Sequence, residues 1–213
     1  MPPIDFKKQD KALYFPGPEP SIISVPPMLY IMVDGSGDPN TSPAYKDALQ
    51  VLYGLSYAIK MSPKSGPAPA DYFEYVVPPL EGLWTLPITD YSTIDRIDKE
   101  SLVWTSMIRQ PEFVTPAVFL AAKSSLARKK PKLDLSLARL ELLEEGLCAQ
   151  VMHTGSYDEE PATIRNLVTF IHNSGYSEDF ASGRRHHEIY LNDPQKTAPQ
   201  ALKTVIRHPI RQA

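Results

Sequence analysis

Met32-Val33-Asp34-Gly35-Ser36-Gly37-Asp38 returns 120 positions later as Met152-His153-Thr154-Gly155-Ser156-Tyr157-Asp158, with Met, Gly, Ser and Asp in the same places. Outward from this stretch the likeness continues. Ile22-Ile23 falls on Leu142-Leu143, and each Gly-Ser loop is followed by a proline and then a helical pattern. Further on, Tyr72-Phe73-Glu74-Tyr75 aligns with His186-His187-Glu188-Ile189, and Ser106-Met107-Ile108-Arg109-Gln110-Pro111 with Thr204-Val205-Ile206-Arg207-His208-Pro209. Three matches in one order describe a duplication. Each unit reads strand-helix-strand-strand and is too small to bury its own apolar sheet face, so two fuse about a pseudo-twofold axis and leave a groove between them. The expected fold class is α+β, with a central ligand cleft. The expected organisation is a proline-rich arm over residues 1–20 and a single domain over 21–213, made of repeats at about 21–112 and 136–211 joined by a helix at about 113–130.

The local patterns supply the elements. Ile22 to Val25 and Leu29 to Val33 read as strands with Pro26-Pro27 at the corner, and Ser42-Pro43 caps a helix running to about Met61. Its apolar stripe is Ala48, Leu52, Leu55 and Ile59, which leaves Tyr53 and Tyr57 on the other side, under a covering loop or along a ligand cleft. Tyr72 to Val77 reads as a strand stopped by Pro78-Pro79, and Leu80 to Trp84 as another. A charged connector, Asp90 to Lys99, precedes a strand at 102–109. Thr115-Pro116 opens a helix to Lys130 with Ala117, Leu120, Ala121 and Leu126 in register, and the second repeat's helix carries Ile164, Leu167, Val168 and Ile171. In His186-His187-Glu188-Ile189-Tyr190-Leu191-Asn192-Asp193-Pro194, alternation puts Glu188 and Tyr190 on one face and Ile189 and Leu191 on the other.

Composition excludes several classes. A chain of 213 residues with 42% hydrophobic side chains buries a full core, and a net charge of −3 gives no broad electrostatic reason to bind nucleic acid. The basic end Arg128-Lys129-Lys130 reads as a helix C-terminus favoured by the dipole. A single Cys148 rules out an internal disulfide framework, and no long apolar run predicts a membrane span, so a cytoplasmic protein is expected. His153, His172, His186, His187 and His208 form no spaced ligand set with Cys148, so no metal is expected. Ser36 and Ser156 lack the nucleophile-elbow context, and no lysine follows Gly35-Ser36-Gly37 at P-loop spacing. No cofactor is implied.

The paired units, with Asp34-Gly35-Ser36-Gly37, His153-Thr154-Gly155-Ser156-Tyr157 and His187 to Pro194, resemble the GyrI-like small-molecule-binding family over about residues 20–210. That family's pocket places a carboxylate at the position matching Glu188, used against cationic or polar aromatic ligands. Leu55 to Lys60, Tyr72 to Tyr75, Pro79 to Trp84, Met107 to Pro111 and Leu143 to Cys148 are further similar to the stand-alone cyclopropanoid cyclopropyl hydrolases. Those enzymes open the activated cyclopropane of DNA-alkylating natural products of the yatakemycin type within an aromatic cage. No helix-turn-helix is recognisable here.

The resemblance implies a planar aromatic small-molecule ligand, with no nucleic acid or membrane partner. Such a reaction needs a flat aromatic slot, a donor at the ligand carbonyl and a base that directs water onto the cyclopropyl carbon. Glu188 is the expected base. Tyr190 or Tyr57 is the expected donor, in an allocation that is reversible. Tyr53, Tyr57, Trp84, Trp104 and Phe180 are the expected walls. Glu74 is either a second pocket acid or a solvent-facing strand residue. Two other functions share these features: passive drug binding or sequestration, and a gyrase-inhibitor-like interaction module.

Overall fold

The computed structural model describes residues 2–85, 90–95, 98–180 and 183–213; positions 96 and 97 of the charged connector lie outside them. After two short arm helices, α1 (Phe6–Gln9) and α2 (Lys11–Tyr14), come strands β1 (Ser21–Val25) and β2 (Met28–Ser36), then helix α3 (Pro43–Lys60). Strands β3 (Leu80–Thr85) and β4 (Val103–Arg109) complete the first half, and α4 (Pro116–Lys129) leads to the second. There β5 (Arg139–Leu143), β6 (Gly146–Thr154), α5 (Glu160–Asn173), β7 (Tyr176–Glu178), β8 (His186–Tyr190) and β9 (Lys203–Gln212) follow.

The strands form one antiparallel sheet in the order β1-β6-β9-β8-β3-β4-β2-β5, with β7 added beside β9. Exchanging β1 with β5, β2 with β6, β3 with β8 and β4 with β9 turns this order into its own reverse, which is the pseudo-twofold axis of the duplication. The axis passes between β3 and β8. Each half lends its leading strand to the other: β1 pairs with β6, and β5 with β2.

The registers test the repeat residue by residue. Met32 pairs with Met107 and Met152 with Val205, so the Met32/Met152 and Met107/Val205 equivalences agree. Gly82 pairs with Ser106 and Tyr190 with Thr204. Gly82 is therefore equivalent to Tyr190, and Leu80 to Glu188. The Glu74/Glu188 alignment is corrected by this register.

Tyr72 to Val77 is not a ladder strand; it makes one parallel bridge, Ile4 with Tyr75. Pro78 and Pro79 have no N–H to continue a ladder. The segment's aromatic rings instead pack with Phe6 and Phe113, at 6.5 Å from Phe6 to Tyr75 and 5.3 Å from Phe73 to Phe113. Ala48, Leu52, Leu55 and Ile59 of α3 and all four stripe residues of α5 are buried. In α4 the buried row is Phe119, Ala122 and Leu126, while Leu120 is exposed. That row follows from packing on α3, where Gly54 leaves a space that the Leu126 side chain fills.

Candidate functional site

Alternation along β8 sends His186, Glu188 and Tyr190 to one face of the sheet and His187 and Ile189 to the other. The first face floors a cleft of roughly 830 Å³ against which α3, the turn at 77–80, the chain at 191–196 and Tyr157 stand. Its aromatic lining is Tyr45, Tyr53, Tyr57, Trp84, Tyr157 and Tyr190. Tyr45 stacks on Trp84 with centroids 6.3 Å apart, and Tyr157 meets Tyr190 edge-on at 5.8 Å. Gly82 decides where the indole lies. A Cβ there would come within 2.7 Å of Trp84 Nε1, so only a residue without a side chain lets Trp84 lie across β3.

Two carboxyl groups of opposite protonation state line this cleft. The Trp84 indole N–H donates to the Tyr190 hydroxyl at 2.9 Å, and Tyr190 donates to Glu188 Oε2 at 2.6 Å. Glu188 Oε1 lies 2.8 Å from His186 Nε2. Burial alone would raise the Glu188 pKa, but the hydrogen bonds from His186 and Tyr190 outweigh it and hold the group below the usual range, as a carboxylate. Glu160, on the first turn of α5, is raised well above that range by burial and by the Glu188 charge, against a Thr204 hydrogen bond that lowers it. It is a neutral acid, 2% exposed, and its Oε1 has no partner among the described residues. Burial and the Glu188 charge also keep Tyr190 a phenol, and Tyr157 is pushed up to about 12 by burial, then by Glu160.

Of the residues expected from sequence, Glu188, Tyr190, Tyr53, Tyr57 and Trp84 line the cleft. Three others do not. Trp104 is buried beneath Gly35 and touches Tyr45 edge-on at 5.0 Å, so it backs the wall instead of facing a ligand. Phe180 stacks on Tyr91 at 4.7 Å, beside His208. Glu74 is exposed, and its carbonyl accepts from the Ile4 N–H. The geometry adds Tyr45, Tyr157 and Glu160. Tyr45 extends the row of Tyr53 and Tyr57 along α3 at multiples of four, a spacing legible in sequence; Glu160 carried no such signal.

The opposite face holds a second buried polar cluster with a structural purpose. His187 Nδ1 lies 2.9 Å from Glu145 Oε1 and its Nε2 lies 3.0 Å from Glu81 Oε2. With a carboxylate on each nitrogen, the ring is an imidazolium, raised to about 9 because Glu145 and Glu81 outweigh burial. Arg207 donates to Glu145 at 2.8 Å and to the Leu13 carbonyl at 2.9 Å, while Tyr14 and Tyr30 donate to Glu81. This cluster clasps the N-terminal arm against β3, β8 and β9. Among the described residues, no group of three or more His, Cys, Asp or Glu is arranged to hold a metal ion, and no helix is long and apolar enough to cross a membrane.

Solved structures place the chain among relatives. A hydrolase from Listeria innocua is 41% identical, with 98% of this chain and 100% of that chain covered and a TM-score of 0.88. An uncharacterized conserved protein from Listeria innocua is 42% identical over 98% of this chain and 100% of that one, at a TM-score of 0.89. The C-terminal domain of EcmrR shares the fold alone: 11% identity over 92% of this chain and 98% of that chain, at 0.55. No curated protein sequence matches significantly. The family model for the GyrI-like small molecule binding domain matches residues 18–211, and with a duplicated sheet around an aromatic, acid-floored cleft this chain belongs to the GyrI-like small-molecule-binding family.

Proposed function

We propose that the protein hydrolyses small, planar, electrophilic ligands, and specifically the activated cyclopropane of DNA-alkylating natural products of the yatakemycin, CC-1065 and duocarmycin type. The observation that supports this most is the pairing of a carboxylate, Glu188, with a neutral acid, Glu160, at one aromatic-walled cleft. Environments that push two titratable groups apart assign a base and an acid.

Tyr53, Tyr57, Trp84 and Tyr157 take the ligand plane, since rigid rings bind planar surfaces with little order lost. Glu188 accepts a proton from water as the water oxygen bonds to the cyclopropyl carbon. The ring C–C bond breaks, its electrons aromatise the dienone to a phenolate, and Glu160 delivers its proton to that oxygen. The proton left on Glu188 then passes to Glu160, which restores the starting pair. Tyr190 donates to Glu188 and accepts from Trp84, so in this mechanism it orients the base and Glu160 takes the donor role that sequence gave to a tyrosine.

That the 41%-identical protein from Listeria innocua is a hydrolase supports the reaction class. Incubation of the purified protein with a duocarmycin-type drug, followed by mass spectrometry, is expected to give a product heavier by one water. Saturable quenching of tryptophan fluorescence without that product would instead favour passive binding.

A further inference from the structure

The hydrogen bonding at Glu188 does not stop at His186. His186 Nδ1 lies 2.7 Å from His208 Nε2, and His208 Nδ1 lies 2.6 Å from Glu178 Oε1. Both imidazoles are completely buried, while the Glu178 side chain on β7 is 15% exposed. The registers put Glu188 and His186 on the same face as Ile206 and His208, and Glu178 opposite Ile210 on that face too, so the chain runs along the cleft face of the sheet from β8 across β9 to β7. Tyr91 lies against His186 at 6.2 Å and edge-on to His208 at 5.1 Å, and Phe180 closes on His208 at 5.2 Å, so the two rings sit in an aromatic sheath.

Counting protons gives the arrangement its meaning. Each of the three contacts, Glu188–His186, His186–His208 and His208–Glu178, joins two atoms that repel unless a proton lies between them. Three contacts need three protons. That is one more than two imidazoles carry in their neutral forms, so the chain holds one in excess. With the excess on Glu178, His208 donates through Nε2 to His186, and His186 donates through Nε2 to Glu188, a carboxylate. With the excess on Glu188, every bond is reversed. Shifting each proton across its own bond moves the excess from one end to the other and leaves every contact made. His187, two carboxylates on its two nitrogens, has no such freedom.

We propose that His186, His208 and Glu178 form a proton relay that joins Glu188 at the cleft to solvent at the β7 end of the same sheet face and sets whether His186 donates a proton to Glu188. The catalytic consequence rests on the hydrolase function proposed above; the relay itself does not. The three are positioning residues, since none touches the ligand. Burial raises Glu178 to about 7, outweighing the nearby His172 and helped by the charge of Asp90. Burial and His186 keep His208 neutral. The other groups facing the cleft end are Glu160 on α5, Tyr45 on α3, Tyr157 and Tyr190, while the charge of His187 acts on Glu188 from the opposite face.

Below about 7 the excess proton resides on Glu178 and Glu188 is a supported carboxylate. Above it that proton leaves. His208 and His186 then turn their remaining protons toward Glu178, and a bare His186 Nε2 faces Glu188.

The test reads the two histidines directly. In ¹⁵N NMR of the free protein at pH 6, His186 and His208 are expected as Nε2–H tautomers, and both convert to Nδ1–H in one step near pH 7, the range in which Glu178 titrates. Glu178→Gln, whose amide donates to His208 at every pH, abolishes the conversion. His208→Phe, which keeps the ring against Tyr91 and Phe180, abolishes it at His186 as well and serves if Glu178→Gln does not fold. With a turned-over drug, wild-type kcat falls about tenfold per pH unit above the transition, and Glu178→Gln removes that limb. Histidines that titrate independently, or tautomers in Glu178→Gln that still switch near pH 7, would overturn the relay. Concerted switching with no hydrolysis of any drug would keep the relay and reject the hydrolase.

Discussion

Glu160 and Glu188 approach one cleft from different elements, α5 and β8, and burial together with the charge of Glu188 holds Glu160 neutral. The duplication built this pair asymmetrically. Leu80 occupies the position equivalent to Glu188, and Gly82 the position equivalent to Tyr190, so one repeat supplies the acid and phenol and the other supplies the space into which Trp84 lies.

Glu160→Gln keeps a donor of similar shape but no transferable proton. Turnover is expected to fall by about 10²–10⁴-fold with KM nearly unchanged, the range for loss of a general acid. An unchanged kcat would return the donor role to a tyrosine.

Gly82→Ala puts a methyl 2.7 Å from the Trp84 indole nitrogen. The ring must move, which breaks its bond to Tyr190. Stability is expected to drop by about 1–3 kcal/mol, the usual cost of overpacking, with a shift in tryptophan emission. Denaturant unfolding followed by fluorescence reads both.

Tyr53 and Tyr57 are 39% and 51% exposed, and their rings hold nothing in the core. Replacing either by alanine is expected to leave stability within about 0.5 kcal/mol. Affinity for a planar ligand should fall by about 1 kcal/mol each, the size of one aromatic contact, in a fluorescence titration.

The clasp on the other face predicts a pH dependence of stability. Glu145 is lowered from 4.5 to about 2 because His187 and Arg207 outweigh burial, so its contribution is present above pH 4.5 and is lost as pH falls toward 2. His187 is raised from 6.5 to about 9, so its contribution is complete below pH 6.5 and is lost as pH rises through 9. Counting the pair once, the loss at each end is on the order of 3 kcal/mol. The stability difference between wild type and Glu145→Gln, measured by urea unfolding from pH 3 to 9, is expected to peak between 4.5 and 6.5. A flat difference would mean that the pair is not ionic.

The duplication was legible in sequence because both repeats need glycine at one place, though for different reasons: Gly35 in β2 lies against the Trp104 ring, which leaves no room for a side chain, and Gly155 holds a φ of 145° beside Ser156, which shares a capping box with Glu159. The middle strands were not legible in the same way. Glu74 matched Glu188 by letter, but register is a property of neighbours, and only the pairing of Gly82 with Ser106 and Tyr190 with Thr204 decides it. Glu188 and Tyr190 were readable because strand alternation is strict. Glu160 was hidden because nothing in its helical turn distinguishes a buried acid from a capping one. Trp104 and Phe180 look like cage residues by type, and only packing shows that they support the cleft and the relay instead.

In the proposed reaction Glu188 turns a binding cleft into a hydrolase. The most direct measurement incubates wild type and Glu188→Gln with a duocarmycin-type drug, scoring the water-added product by mass spectrometry and drug binding by tryptophan quenching. Wild type is expected to form the product, and Glu188→Gln to bind the drug without forming it. Equal product from both proteins, or binding by wild type with no product at all, would contradict the claim.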